Sequence, residues 1–374
     1  MKKRYIFTGV SLAVLFAAVG TAQVVTSNLF DEQVQKTIKK INRKGVTVSY
    51  NDSKNSLFNK TGKISIKFEP QVKFVGSKSV KPTEFIFNTE THILPLYTKT
   101  FFKADNEQSR NFINNFKIDE FNLTTLYLNS ELTIATKKDE LATITTVVPA
   151  MGEAKCSILN AKTEFNLNKK NAVIANFKTD LLQCSQPMFN SKEFDFLKVE
   201  KIDVTTPFNS VFDKNFNLKS PDYFDFSAKT IDINVPFLNT KIILSNTDIN
   251  RMVTTLGNKE NLYINTYIGK DGMSNRLNLK GTADRFVQGE TKGKKTGNYH
   301  ILMQGPAFPQ MPIVKSWYNA GFLKQSKYGI ETDIEYTVDL GLVSPTQSLG
   351  TNPDAIKLII NGKQTSPTEL LMSH

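Results

Sequence analysis

The stretch Ala161-Lys-Thr-Glu-Phe-Asn-Leu-Asn-Lys-Lys-Asn-Ala-Val-Ile-Ala-Asn-Phe-Lys-Thr179 decides how the chain is read. Ala161, Thr163, Phe165 and Leu167 alternate with polar residues, and Val173, Ala175, Phe177 and Thr179 repeat the pattern. A period of two sends successive side chains to opposite faces, which is the signature of a half-buried β-strand. Asn168-Lys169-Lys170-Asn171 between the two runs has the composition of a turn. A hairpin folded about Lys170 sets Phe165 opposite Ala175, Thr163 opposite Phe177 and, farther out, Cys156 opposite Cys184. Opposed Cβ atoms at a non-hydrogen-bonded pair lie close enough for a disulfide. The chain has two cysteines, too few for a metal site without further ligands, and they do not form a CxxC redox motif. A disulfide between Cys156 and Cys184 is therefore expected.

The same texture extends in both directions. Val46, Val48 and Tyr50 alternate, as do Ile64, Ile66 and Phe68, then Phe85 and Phe87, and Leu128, Leu132 and Ile134 share one face. Toward the C-terminus come Phe224, Phe226 and Ala228, then Ile231, Ile233 and Val235, closed by Pro236. Leu262, Ile264 and Ile268 run into Gly269-Lys-Asp-Gly272, a hairpin turn, and Leu277 and Leu279 return from it. Ile330, Ile334 and Tyr336 predict another strand, and Ile356, Leu358 and Ile360 run into Asn361-Gly362. Helical spacing is rare. It predicts short helices over Asp105–Phe116, over Pro312–Leu323, and after Asn246-Thr247, where Ile249, Met252, Val253 and Leu256 share a face and Gly257 stops the run. The fold class expected is mainly β: an N-terminal transmembrane helix, then a long antiparallel, curled β-meander with a few short helices. The expected organisation is residues 1–45 as anchor and helical stem, 46–190 as a first β-rich half and 191–374 as a second. The boundary falls in the loop at Ser185–Glu193.

Met1-Lys-Lys-Arg4 is a basic cluster followed by an uncharged stretch whose most apolar part is Tyr5–Val25. Two readings fit. A cleavable signal peptide needs a basic start, an apolar run and a small-residue site, here Gly20-Thr21-Ala22. An uncleaved anchor needs about 20 apolar residues, and the 21 residues of Tyr5–Val25 meet that length. Phe30, Val34, Ile38 and Ile41 then follow helical spacing up to Lys44, with Gly45 placed as a C-terminal cap, which favours the anchor. Either way the basic end stays in the cytoplasm and the body is exported. The expected location is the inner membrane, single-pass, with the body in the periplasm.

The net charge is +12. A basic surface suits nucleic acid, anionic head groups or acidic polysaccharide, but no block of like charges stands out and no nucleic-acid motif is present, so nucleic acid is not an expected partner. The most basic loop is Lys292–Asn298, read as a solvated hairpin tip. His92, His300 and His374 are the three histidines, none in a nucleophile motif. HExxH, P-loop and GxGxxG patterns are missing, and Asp222, Asp225, Glu331 and Asp333 read as charges on the polar faces of strands. No enzyme, no cofactor and no metal is expected.

Three places carry a resemblance. The N-terminal apolar segment and helix lead into Gly45-Val-Thr-Val-Ser-Tyr50, Ser56-Leu-Phe58 and Gly62-Lys-Ile-Ser-Ile-Lys-Phe68. A long succession of amphipathic strands follows. The C-terminal part reads Trp317-Tyr-Asn-Ala-Gly-Phe-Leu323, Tyr328-Gly-Ile-Glu-Thr-Asp-Ile-Glu-Tyr336 and Leu358-Ile-Ile-Asn-Gly-Lys363. In this order the chain resembles the YdgA-like family of bacterial envelope proteins, a domain of unknown function, and more distantly the strand-rich envelope proteins of the AsmA kind. The resemblance implies an inner-membrane-anchored periplasmic protein whose sheet presents an apolar groove to lipid. It brings no catalytic residues. Partners expected are the membrane through the N-terminal helix, then lipid, or other envelope proteins or the cell wall if the body is a structural or adhesive scaffold. Intact-mass measurement of membrane-extracted protein is expected to retain Tyr5–Val25; a mature chain starting after Ala22 would establish the cleaved signal instead.

Overall fold

The structure, a computed structural model, describes residues 23–32, 34–35, 38–39, 42, 46–68, 83–126, 129–148, 152–167, 173–187, 193–207, 222–235, 240–253, 258–269, 274–285, 292–342 and 355–366. Among these are twenty strands. They are β1 (Val46–Asn55), β2 (Asn59–Phe68), β3 (Thr83–Leu94), β4 (Tyr97–Ala104), β5 (Ile118–Leu126), β6 (Asn129–Thr136), β7 (Leu141–Val148), β8 (Gly152–Leu159), β9 (Lys162–Leu167) and β10 (Val173–Pro187). The series continues with β11 (Glu193–Pro207), β12 (Tyr223–Val235), β13 (Thr240–Val253), β14 (Lys259–Ile268), β15 (Arg276–Asp284), β16 (Lys294–Gln304), β17 (Lys324–Ser326), β18 (Gly329–Asp339), β19 (Ile356–Ile360) and β20 (Lys363–Thr365). The helices are α1 (residues 23–32), α2 (Glu107–Asn115) and α3 (Pro312–Asn319). The fold is mainly β, without the strong curl expected from the sequence, and its ladders are antiparallel, between strands adjacent or nearly so in the chain: consecutive strands from β1 to β6, β6 with β9, consecutive strands from β11 to β16, β16 with β18, and β18 with β17 and β19. Such a meander follows from short turns between alternating runs, because a two-to-four-residue link returns the chain antiparallel. Asn361 and Gly362, both at positive φ, close the two-residue β19–β20 turn.

The residues divide into two compact units. The first holds the described residues before Thr145 and those between Leu159 and Phe177; the second holds Thr145–Ile158, the described part of Lys178–Thr206, and what is described after Pro221.

In the first unit the registers collect Val48, Ile64, Ile66, Phe87, Phe121, Leu132, Ile134 and Phe165 on one face. Phe121 meets Phe87 edge-on at 5.1 Å and stacks on Phe102 at 4.6 Å. The helix α1 packs where that face turns polar. Lys60, 1% exposed, donates to the Ser27 carbonyl and the Asp31 carboxylate, and its ammonium sits 5.6 Å from the Phe30 ring centroid. The Gln23 amide donates to the Ile93 carbonyl at 2.8 Å, and the Thr26 hydroxyl accepts from the Leu96 N–H at 2.9 Å. A buried ammonium is tolerable only with such acceptors. Residues 34–35 and 38–39 are helical as well, and Gly45 lies outside the described residues. The expected helix at Asp105–Phe116 is α2, capped by Asn106, whose side chain accepts from the Ser109 N–H. Asn106 and Ser109 also accept from the Ile86 N–H, so α2 takes over the edge of β3 where β4 ends.

Two expectations are corrected. The helix after Asn246 does not form: Ile249, Met252 and Val253 belong to β13, while Leu256 and Gly257 lie outside the described residues. Asn246 has φ 46°, and the register shifts between Ser245 and Asp248. Beyond this bulge the strand is regular, and Met252, exposed on the face opposite Ile249 and Val253, is the apolar residue that imitates helical spacing. Ladders with both β12 and β14 override that local preference. The basic loop Lys292–Asn298 is mostly strand, since Lys294–Asn298 open β16 and pair with β15 and β18.

The segment Tyr5–Ala22 lies outside the described residues, as do the turn 168–171, Leu128, Pro236 and His374. Among the described residues no helix is long and apolar enough to cross a membrane.

β8 and β9 both pair with β10, and Cys156 is bonded to Cys184. The Ser185 hydroxyl donates to the Lys155 carbonyl at 3.5 Å, the register that folding about Lys170 requires. Asn160, which has φ 52° and accepts from the Asp139 N–H, lies between β8 and β9. The bridge joins residues 28 apart, a closure worth about 3–4 kcal/mol in the chain-entropy description. Cys156→Ser/Cys184→Ser is expected to lower the urea midpoint, and dithiothreitol to lower that of the wild type alone; a reductant-insensitive wild type would contradict the bridge.

Candidate functional site

In the second unit β14, β15, β16, β18 and β19 are in register, so cross-strand rows can be read directly. On one face the rows are Glu260–Ala283–Gly297–Tyr336–Leu358, Leu262–Gly281–Tyr299–Ile334–Ile360, Ile264–Leu279–Ile301–Thr332 and Thr266–Leu277–Met303–Ile330. This face is apolar at one end. There Met303, Phe308, Val314, Leu323 and Ile330 form a buried cluster, joined by Ile268, Leu277, Ile301, Met311 and Trp317. α3 and the 3-10 turn Phe308–Gln310 provide that cover. In the middle of the face Leu262, Ile264, Leu279 and Ile301 remain only partly buried. From Glu260 to Ile268 the strip runs about 27 Å at the rise of a strand.

The far end of the same face is polar. Arg251 pairs with Glu260, with side chains 16% and 20% exposed, and Arg285 pairs with Asp222 at 2.8 Å. Beside them Tyr299 and Tyr336 stack, their ring centroids 6.1 Å apart. Two glycines make room: a side chain at Gly281 would strike Tyr299, and one at Gly297 the Tyr336 ring. Burial pushes both phenols up from their usual value, and the contact with Tyr299 raises Tyr336 further.

The alternate residues form a polar face. Its rows are Tyr263–Lys280–His300–Asp333 and Asn261–Thr282–Asn298–Glu335. Two hollows of about 280 and 810 Å³ open on it and share Thr282, Asn298 and Glu335 in their lining.

The residues singled out from sequence fall apart as a constellation. His92 is exposed on β3, with Nδ1 2.7 Å from the Asn59 side-chain oxygen. His300 stands on β16 with Nδ1 2.9 Å from an Asp333 carboxylate oxygen. Asp225 accepts from the Tyr223 hydroxyl at 3.1 Å, Asp222 holds Arg285, and Glu331 lies opposite Lys324. Among the described residues no three His, Cys, Asp or Glu side chains gather as a metal site. The Arg251–Glu260 pair and the two tyrosines escaped the sequence reading. A signal existed, for Arg251 shares its parity with Ile249 and Val253, and Glu260 with Leu262, which is anomalous on an apolar face. The helical reading of this segment hid it.

Compared with protein-family models, curated proteins and solved structures, the chain matches none of them.

Because the folded state holds the Tyr299 and Tyr336 protons more tightly than the unfolded chain, the unfolded state ionises first as pH rises past about 10. Stability is therefore present below that pH and falls above it. Urea midpoints measured from about pH 8 to about pH 11 are expected to decline, and Tyr336→Phe to flatten the decline; an unchanged slope would contradict the assignment.

Proposed function

We propose that the chain is an inner-membrane-anchored envelope module, its body in the periplasm, that handles lipid on the apolar face of its sheets and performs no catalysis. One observation carries this reading. In the second unit a strip about 27 Å long runs from a closed apolar end at Met303, Phe308 and Ile330 to a polar end at Arg251, Glu260 and Tyr336, with partly buried Leu262, Ile264 and Leu279 between. Such polarity matches an amphiphile. Acyl carbon lies along the aliphatic rows, where burial contributes about 25 cal/mol per Å², and the head group meets the guanidinium and phenol groups. The charges at the polar end are paired, so no isolated ion is buried there.

The single tryptophan, Trp317, stands against the closed end of the strip and serves as a reporter. Detergent-purified full chain is expected to carry lipid in native mass spectrometry, and phospholipid brominated in its acyl chains to quench Trp317 more than phospholipid without bromine. Empty protein together with unquenched Trp317 would overturn the proposal.

A further inference from the structure

We propose that the polar face of the second unit is a binding surface for a neutral glycan strand, separate from the lipid-facing side and independent of that reading. The site is the pair of contiguous hollows on β13–β16, β18 and β19. Six neighbouring strands give it a length of about 24 Å across the sheet, which suits an extended oligomer better than a compact small molecule.

Its chemistry narrows the ligand. Tyr263 projects from β14 with 39% of its surface exposed, within the larger hollow. A flat ring in a polar trough offers an apolar platform with a polar tip, the surface on which the C–H face of a pyranose stacks. Around it stand the Asn298 amide, the Lys280 ammonium, the His300–Asp333 pair and Glu335. Among the described residues Asn298 and Lys280 have no side-chain partner. An amide both donates and accepts, and a carboxylate accepts in two directions; together they match vicinal hydroxyls, which do the same.

The charge count excludes other occupants. Across the two hollows four lysines (259, 280, 324 and 357) face three carboxylates (Asp284, Asp333 and Glu335), although the chain as a whole carries +12. A polyanion requires a large surplus of cations along its path, and here the lysines exceed the carboxylates by a single charge. An extended peptide would bind at an open strand edge, whereas here the ligand meets the face of paired strands. An acyl chain would cross the polar rows of this face, whereas the opposite face offers it Leu262, Ile264, Leu279 and Ile301.

The test uses the full chain in detergent with two neutral probes, chitohexaose and cellohexaose, and two acidic ones, polygalacturonate and heparin, followed by calorimetry and saturation-transfer NMR. At least one neutral hexasaccharide is expected to bind. Tyr263→Ala is expected to weaken it by about tenfold or more, and Tyr263→Phe, which keeps the ring, to bind as the wild type does. Far-UV circular dichroism checks that both variants fold, and Lys280→Ala provides a second probe should Tyr263→Ala fail. No binding of either neutral probe, binding of the acidic probes alone, or undiminished binding by a folded Tyr263→Ala would overturn the proposal. Lipid binding measured on the same variants separates the two sites, because Tyr263→Ala is expected to leave it unchanged.

Discussion

Interior strands in both units give their backbone N–H and C=O groups to a neighbour on each side, and this antiparallel ladder is what the rest of the structure depends on. It satisfies polar groups that would be costly to bury alone. It also locks every residue to one of two faces, because a slip by one position would exchange them. The register of β14, β15, β16 and β18 therefore does more than hold strands together. It places Leu262, Ile264, Leu279 and Ile301 on one side, and Tyr263, Lys280, Asn298 and His300 on the other. Two surfaces of opposite chemistry result from one backbone constraint, and the two ligand classes proposed above follow from them.

Departures from the alternation are where the molecule becomes specific. Lys60 sits at an apolar-parity position in β2 and is buried, yet Ser27 and Asp31 of α1 meet it. The buried threonines 89, 91, 98 and 100 lie on the same face, with Thr91 and Thr100 hydroxyls 2.8 Å apart. The seat of α1 is thus defined by hydrogen bonds more than by apolar area, which fixes its position rather than merely its attachment. Arg251 and Glu260 interrupt the apolar face of the second unit in the same way, as a pair.

Much of the fold was legible in the sequence because it rests on local signals. Period-two runs located β1, β2, β3, β12, β14, β15, β18 and β19, helical spacing marked α2 and α3, and counting about Lys170 matched Cys156 with Cys184. What failed was non-local. The bulge at Asn246 and the strand identity of Lys294–Asn298 depend on partners more than ten residues away. The candidate site was less legible for a related reason: Tyr299 and Tyr336 meet only once β16 pairs with β18, and the hollow around Tyr263 exists only as a surface of several strands. A linear motif does not carry such information.

Ile264 and Asn265 are adjacent in β14 and point to opposite faces, so they give the most direct test of the two-faced sheet. A photoreactive phenylalanine derivative placed at one or the other in membranes should capture lipid at Ile264 and not at Asn265. Equal capture at both, or capture at Asn265 alone, would contradict a lipid-handling apolar face.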